Sequence, residues 1–201
     1  MIEQGDDKWR EFIPKGADKV LKDYISDSGI VVWLTGLPKS GKTTIADIVS
    51  YELDRHGVKN ERLDSHILRQ EISKDLGFTK EDRDKNLENA AFIAKLLSRN
   101  GSVVISSFIS PYISQRDRIR DEVEKNGSFI EVFVKASVET CKSRDKSGIY
   151  EKAEQGKIKF FTGVSDPYQE PEDPEIILDT ENKSARECAN EIVDYVLSKL
   201  R

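Results

Sequence analysis

No stretch of the chain is apolar for long enough to cross a bilayer, and its first seven residues, Met1 to Asp7, include three acids, unlike the basic start of a secretion signal. Both absences predict a soluble, cytoplasmic protein with no membrane partner. Cysteine is nearly missing. Cys141 and Cys188 stand far apart without C-x-x-C or Cys/His metal spacing, and each falls among helical apolar positions, which predicts buried, reduced thiols. An excess of positive charge is lacking too: 32 Lys and Arg against 37 Asp and Glu leave a net charge of −5, which argues against a nucleic-acid partner. A chain of that sign that holds a polyanionic small molecule must concentrate its cations locally. There is no internal repeat and no low-complexity tract. A length of 201 residues fits one domain with a short appendage.

The appendage is residues 1–28, polar and charged with scattered Trp9, Phe12, Val20, Leu21 and Tyr24. These are enough to cover a neighbouring surface and too few for a core, and they predict a helical arm ahead of a domain at 29–201. In that domain strands are expected at 30–35, about 58–64, 102–107, 129–134 and 176–179. Helices are expected at 42–55, about 81–99, about 113–125 and 184–200, with a polar stretch at 137–175. Alternating strands and helices predict an α/β domain, a parallel sheet with helices on both faces. Its ligand belongs outside the carboxyl ends of the strands, where the loop after residue 35, Asp64, 106–111 and Asp179 fall.

Between the first strand and the first helix lies Gly36-Leu37-Pro38-Lys39-Ser40-Gly41-Lys42-Thr43, a full G-x-x-x-x-G-K-[ST] phosphate loop. Its glycines let backbone N–H groups curl around a phosphate, the helix N-terminus adds its dipole, and Lys42 supplies a point charge for the β- and γ-phosphates. Thr43 offers a hydroxyl to Mg²⁺. Gly36, Pro38, Lys39, Ser40, Gly41, Lys42, Thr43 and Thr44 are therefore the expected ATP-binding residues. The basic segment 141–170 reads as a mobile lid over the phosphates.

A phosphate loop alone does not separate kinases from ATPases or GTPases. There is no N-K-x-D guanine signature, no helicase- or transporter-like second motif, and the strand 102–107 ends in serines instead of a metal-binding Asp. Asp64 is the acid that ends a strand beside the loop, so it is the expected metal ligand with Thr43. It, or Ser65, can also cap the segment 67–73.

The order Trp33-Leu34-Thr35-Gly36-Leu37, Asp64-x-x-x-x-Arg69, Asp75-Leu76-Gly77-Phe78-Thr79-x-x-Asp82-Arg83-x-x-Asn86, Phe108-Ile109-Ser110-Pro111-Tyr112, Cys141-x-x-Arg144-Asp145, Gly156-x-Ile158-Lys159-x-Phe161-Thr162-Gly163 and Leu178-Asp179-Thr180 resembles the adenylylsulfate kinase family from about Gly29 to Thr180. The resemblance implies a P-loop fold that transfers the ATP γ-phosphate to the 3′-hydroxyl of adenosine 5′-phosphosulfate. It also implies a homodimer. By matching position it implies that Arg69, Arg83 and Asn86 hold the acceptor's phosphosulfate and ribose and that Phe78 and Phe161 sandwich its adenine. It further implies that Ile109, Ser110 and Lys146 line the acceptor side, and that Arg144 and the Asp179-Thr180 pair flank the ATP base. Ser110 is in addition a candidate phosphoserine intermediate.

The chain departs from the family at the end of the second strand, where D-G-D is usual and Asp64-Ser65-His66 stands instead. His66 is the expected substitute base for the second acid, since an imidazole can accept a proton near neutral pH, although it brings no negative charge to the metal. Family arginines are replaced at Glu88-Asn89 and Ile113, the lid lysine's place is taken by Ser147 with Lys146 one residue earlier, and Pro38-Lys39 replace small residues. Three readings follow: an adenylylsulfate kinase, a kinase of the same build acting on another acceptor such as a cytidine diphosphate derivative, and a nucleotide-binding subunit without catalysis.

Overall fold

The computed structural model describes residues 29–125 and 127–200, so the arm expected over 1–28 lies outside the described residues. Strand β1 (Ile30–Thr35) is buried along its whole length. A strand covered on both faces has no solvent side, which is why its sequence is continuously apolar. Strands β3 (Val103–Ser107) and β4 (Ser128–Lys135) lie parallel on its two sides, with β2 (Asn60–Asp64) beyond β3 and β5 (Ile176–Asp179) beyond β4. The order is β2-β3-β1-β4-β5. The chain builds one side of β1 and then crosses to the other, and a crevice opens at the carboxyl end of β1 where that reversal occurs.

The two-residue period of β1 divides the core. Ile30, Val32 and Leu34 meet α1 (Lys42–Arg55) and α7 (Ala185–Lys199) through Ile45, Val49, Leu53, Ile192 and Val196. Val31 and Trp33 meet α3 (Lys80–Ser98) and α4 (Ile113–Glu124) through Leu87, Ala90, Ala94, Ile119 and Val123. Cys141 and Cys188 are buried free thiols, as expected. Among the described residues no helix is long and apolar enough to cross a membrane.

The short α2 (Ser65–Glu71) follows β2 without a loop because the Asp64 carboxylate accepts from the His66 N–H (2.7 Å), so strand end and helix cap are one residue. The stretch 137–175, read from sequence as polar and without bounded elements, holds α5 (Val138–Arg144) and α6 (Ile149–Glu154). With 7 and 6 residues they are too short to show a helical apolar period. A separate cluster of Leu37, Cys141 and Tyr150, flanked by Val138, Ile149, Phe161 and Tyr168, fixes them against the phosphate loop.

Candidate active site

The loop after β1 is shaped by two glycines. A side chain on Gly36 would place its Cβ 2.5 Å from the Val134 carbonyl, and Gly41 caps α1 with φ 107°. Lys42, the first residue of α1, folds back into the loop and donates to the carbonyls of Gly36 (2.9 Å) and Leu37 (2.7 Å). Burial lowers its pKa to about 8. A buried ammonium with no carboxylate hydrogen-bonded to it is a strong site for phosphate oxygens. Lys39, Gly41, Lys42, Thr43, Thr44 and Arg144 line a cleft of about 410 Å³ there. Arg144 donates to the Thr180 hydroxyl (3.0 Å) and carbonyl (2.6 Å), and the Thr180 hydroxyl reaches the Ser40 carbonyl (3.2 Å). The Asp179 carboxylate closes the same turn by accepting from the Glu181 N–H and the Asn182 amide. Pro38 takes part through its carbonyl, which accepts from Tyr150 (2.8 Å), and Lys39 sits 3.7 Å from Asp145.

Asp64 stands at the edge of this cleft. Its Oδ2 accepts from the Thr43 hydroxyl (3.2 Å) and from Ser107 (2.8 Å) at the end of β3. One carboxylate and two hydroxyls form a hard oxygen set, and among the described residues no cluster of three or more His, Cys, Asp or Glu is arranged for a metal. That set fits Mg²⁺, which keeps most of its waters and borrows phosphate oxygens.

Ser65, the residue after Asp64, belongs to a narrower recess lined also by Arg69, Phe78, Arg83, Asn86, Leu87, Phe108, Ile109, Ser110 and Pro111. Arg69 donates to the carbonyls of Leu76 and Gly77, and its guanidinium lies 4.6 Å from the centre of the Phe78 ring, which is 66 % exposed. Arg83 is held by Asp166 (2.5 Å), Thr162 (3.2 Å) and the Phe160 carbonyl (3.3 Å), while its Nε and the Asn86 Oδ1 are buried without a protein partner. An orphan donor and an orphan acceptor at one recess are what a polar ligand would satisfy.

Three expected site residues are placed differently from that reading. His66 is exposed on α2, its ring Nε2 is 3.0 Å from the Gln70 amide one helical turn on, and it does not line the recess, where Ser65 stands instead. The cause is local: a histidine four residues before a glutamine on a helix finds that partner first. Phe161 packs edge-on against Tyr150 (4.9 Å, 75°) and does not line the recess with Phe78. Lys146 is exposed and outside both clefts. Ser110 does line the recess, but its hydroxyl is buried, accepting from the Trp33 indole (3.1 Å) and donating to Thr35 (3.1 Å). The residues at the replaced cation positions find partners elsewhere. Glu88 pairs with Lys85 and Asn89 with Ser73, neither of them in the recess lining, and the Ile113 N–H bonds the Gln169 side chain.

Sequence reasoning missed Asp166, which takes Arg83 on one oxygen and the Tyr112 hydroxyl (2.9 Å) on the other. Its position in a polar stretch carried no signal. It also missed Arg116, which is buried at the base of the recess loop.

A model of the adenylylsulphate kinase family matches residues 28–179. A probable adenylyl-sulfate kinase of Pseudomonas aeruginosa is 50 % identical over 169 residues, 84 % of this chain and 78 % of its own length. The solved Mycobacterium tuberculosis APS kinase in complex with AMPPNP and APS is 37 % identical with a TM-score of 0.81, spanning 85 % of this chain and 98 % of that one. A hexameric APS kinase from Thiobacillus denitrificans is 26 % identical with a TM-score of 0.69 over 93 % of this chain, which covers 34 % of that one.

Proposed function

The chain belongs to the adenylylsulphate kinase family, and from that premise we propose how its residues divide the work. It is an ATP-dependent kinase that transfers the γ-phosphate to the 3′-hydroxyl of adenosine 5′-phosphosulfate, giving 3′-phosphoadenosine 5′-phosphosulfate. The observation that carries the assignment of roles is that Asp64, bonded to Thr43 of the loop cleft, is followed directly by Ser65 of the recess. The loop cleft with Lys42 takes the phosphates of ATP, and Arg144 with Thr180 flanks its base. The recess takes the acceptor, with Arg83 and Asn86 offering their unpartnered atoms and Arg69 stacked on Phe78. Thr43 and Asp64 would hold Mg²⁺, which when bound neutralises charge on the β- and γ-phosphates.

Transfer of a phosphoryl group asks mainly for positioning and charge stabilisation, so the attacking hydroxyl needs a fixed line to the γ-phosphate more than a strong base. Asp64, at the junction, is the residue that orients both. Ser110 acts as a brace of the recess in this reading, because its hydroxyl already serves Trp33 and Thr35. Since the His66 ring is spent on Gln70, His66→Ala is expected to keep turnover within about threefold, as for an exposed side chain outside a site. A loss of a hundredfold in steady-state assays would restore it as the base. The same reading makes the enzyme cytoplasmic and homodimeric, with 29–201 as the catalytic domain and 141–170 as the lid.

ATP consumption measured against adenosine phosphosulfate and against cytidine nucleotides tests the acceptor directly. Turnover with the former alone is expected, and turnover only with a cytidine diphosphate derivative would replace this reading by the other acceptor class. Stacking on an aromatic ring contributes about 1 to 3 kcal/mol per base, so Phe78→Ala should weaken acceptor binding roughly ten- to hundredfold and leave ATP affinity unchanged. Equal losses for both nucleotides would remove Phe78 from the acceptor site.

A further inference from the structure

Arg116 on α4 is 2 % exposed, unusual for an arginine, and spends each edge of its guanidinium on a different part of the fold. One Nη donates to the Ser110 carbonyl (2.7 Å), the other to the Gln169 carbonyl (2.8 Å), and Nε faces Glu131 Oε1 at 2.7 Å in the middle of β4. Glu131 is also within 3.4 Å of Arg120, which pairs with Glu175, and Glu175 in turn accepts from the Glu131 N–H. The cation is thus charge-paired with Glu131 and hydrogen-bonded through both Nη atoms, the condition under which burying it is tolerated.

The two carbonyls it chooses matter. Ser110 lies in the recess and has φ 39°, a left-handed conformation that costs energy in any residue with a Cβ. Such a backbone persists only where its surroundings over-determine it. Here the side chain is fixed by Trp33 and Thr35 and the carbonyl by Arg116. Gln169 ends the segment that returns from Asp166 and Tyr168. Its N–H bonds the Pro111 carbonyl (2.8 Å), its side-chain oxygen accepts from the Ile113 N–H (2.9 Å), and the neighbouring Tyr168 hydroxyl is 3.0 Å from Thr35.

We infer that Arg116 is a positioning residue: it holds the twisted Ser110 backbone that shapes the acceptor recess and ties that loop to the 166–169 segment, whose Asp166 holds Arg83. It lines neither the ATP cleft nor the recess. Its effect falls on the acceptor side because Ile109, Ser110 and Pro111 line that recess and none of them lines the ATP cleft. The inference rests on the kinase reading above.

The test compares Arg116→Lys with Arg120→Lys by steady-state kinetics and thermal unfolding. A lysine cannot span two carbonyls and a carboxylate. Arg116→Lys should raise KM for adenosine phosphosulfate at least about tenfold, on the scale expected when supporting contacts let a site drift by part of an ångström. KM for ATP should change less than twofold. Arg120→Lys, in the same ion-pair network but bonded to no recess carbonyl, should lower the melting temperature and leave both KM values in place. A rise in both KM values together, no rise, or the same acceptor defect in Arg120→Lys would overturn the inference.

If Arg116→Lys does not fold, amide hydrogen exchange in the wild-type protein decides. Adenosine phosphosulfate should slow exchange at Ile113 and Gln169 by the same factor, and a response at one without the other would overturn it. A wild-type protein without turnover on adenosine phosphosulfate would instead bring down the functional reading itself, a result visible before any variant is made.

Discussion

Lys42→Ala is expected to abolish measurable turnover, a fall in kcat of about a thousandfold, the upper end of the scale on which one preorganised charge at a transferring group acts. Lys42 is the buried cation of the ATP cleft, and alanine removes that charge and leaves the Gly36 and Leu37 carbonyls without their donor. The variant needs a folding control, because a buried side chain is lost, and Lys42→Met keeps the stem and removes only the charge. A methionine variant with near-wild-type turnover would sink the assignment of the loop. The same residue sets a pH dependence. Burial brings its pKa down to about 8, and only the protonated form attracts phosphate. Below pH 8 the free protein presents the ammonium. As pH rises through 8 that fraction falls, so ATP affinity measured by calorimetry should weaken progressively, approaching tenfold per pH unit. Lys42→Arg, whose guanidinium stays charged, should lose this slope. A flat wild-type affinity from pH 7 to 9.5 would show that Lys42 is not the controlling cation.

Asp64→Asn should lower kcat by at least about a hundredfold and shift the Mg²⁺ requirement to higher concentration, since a neutral amide is a far poorer ligand for a hard cation. Asparagine is the informative replacement. Asp64 also caps α2 through the His66 N–H, and asparagine caps a helix about as well, so the local fold is retained while the charge is removed. The amide cannot serve Thr43 and Ser107 as the carboxylate does, so a small loss of stability is expected beside the large loss of rate. ATP affinity without divalent metal should be unaffected. An unchanged Mg²⁺ dependence of kcat would move the metal away from Asp64 and Thr43.

The chain's local features were legible before folding. The helix Lys42–Arg55 starts where the loop motif ends, β1 and β5 fall on the residues their apolar runs mark, and the loop geometry follows from Gly36 and Gly41. All of this depends on neighbours a few residues away, and there backbone sterics and hydrophobic period decide. Of the acceptor group that the family motifs implied, the fold gathers Arg69, Phe78, Arg83, Asn86, Ile109 and Ser110 in one recess and leaves Phe161 and Lys146 outside its lining. What the sequence left undetermined was the use of each side chain once partners from distant segments arrive. Arg83 is held by Asp166, which lies 83 positions away, Tyr150 reaches the Pro38 carbonyl across 112, and Phe161 packs on Tyr150 and not beside Phe78. His66 was claimed by a residue one turn along its own helix before it could turn toward the site. Nothing in the sequence singled out Arg116. Only the closing of β4 and the 166–169 segment around it made it a buried clamp, because a guanidinium enters a core only where a carboxylate and carbonyls from separate segments meet it at once.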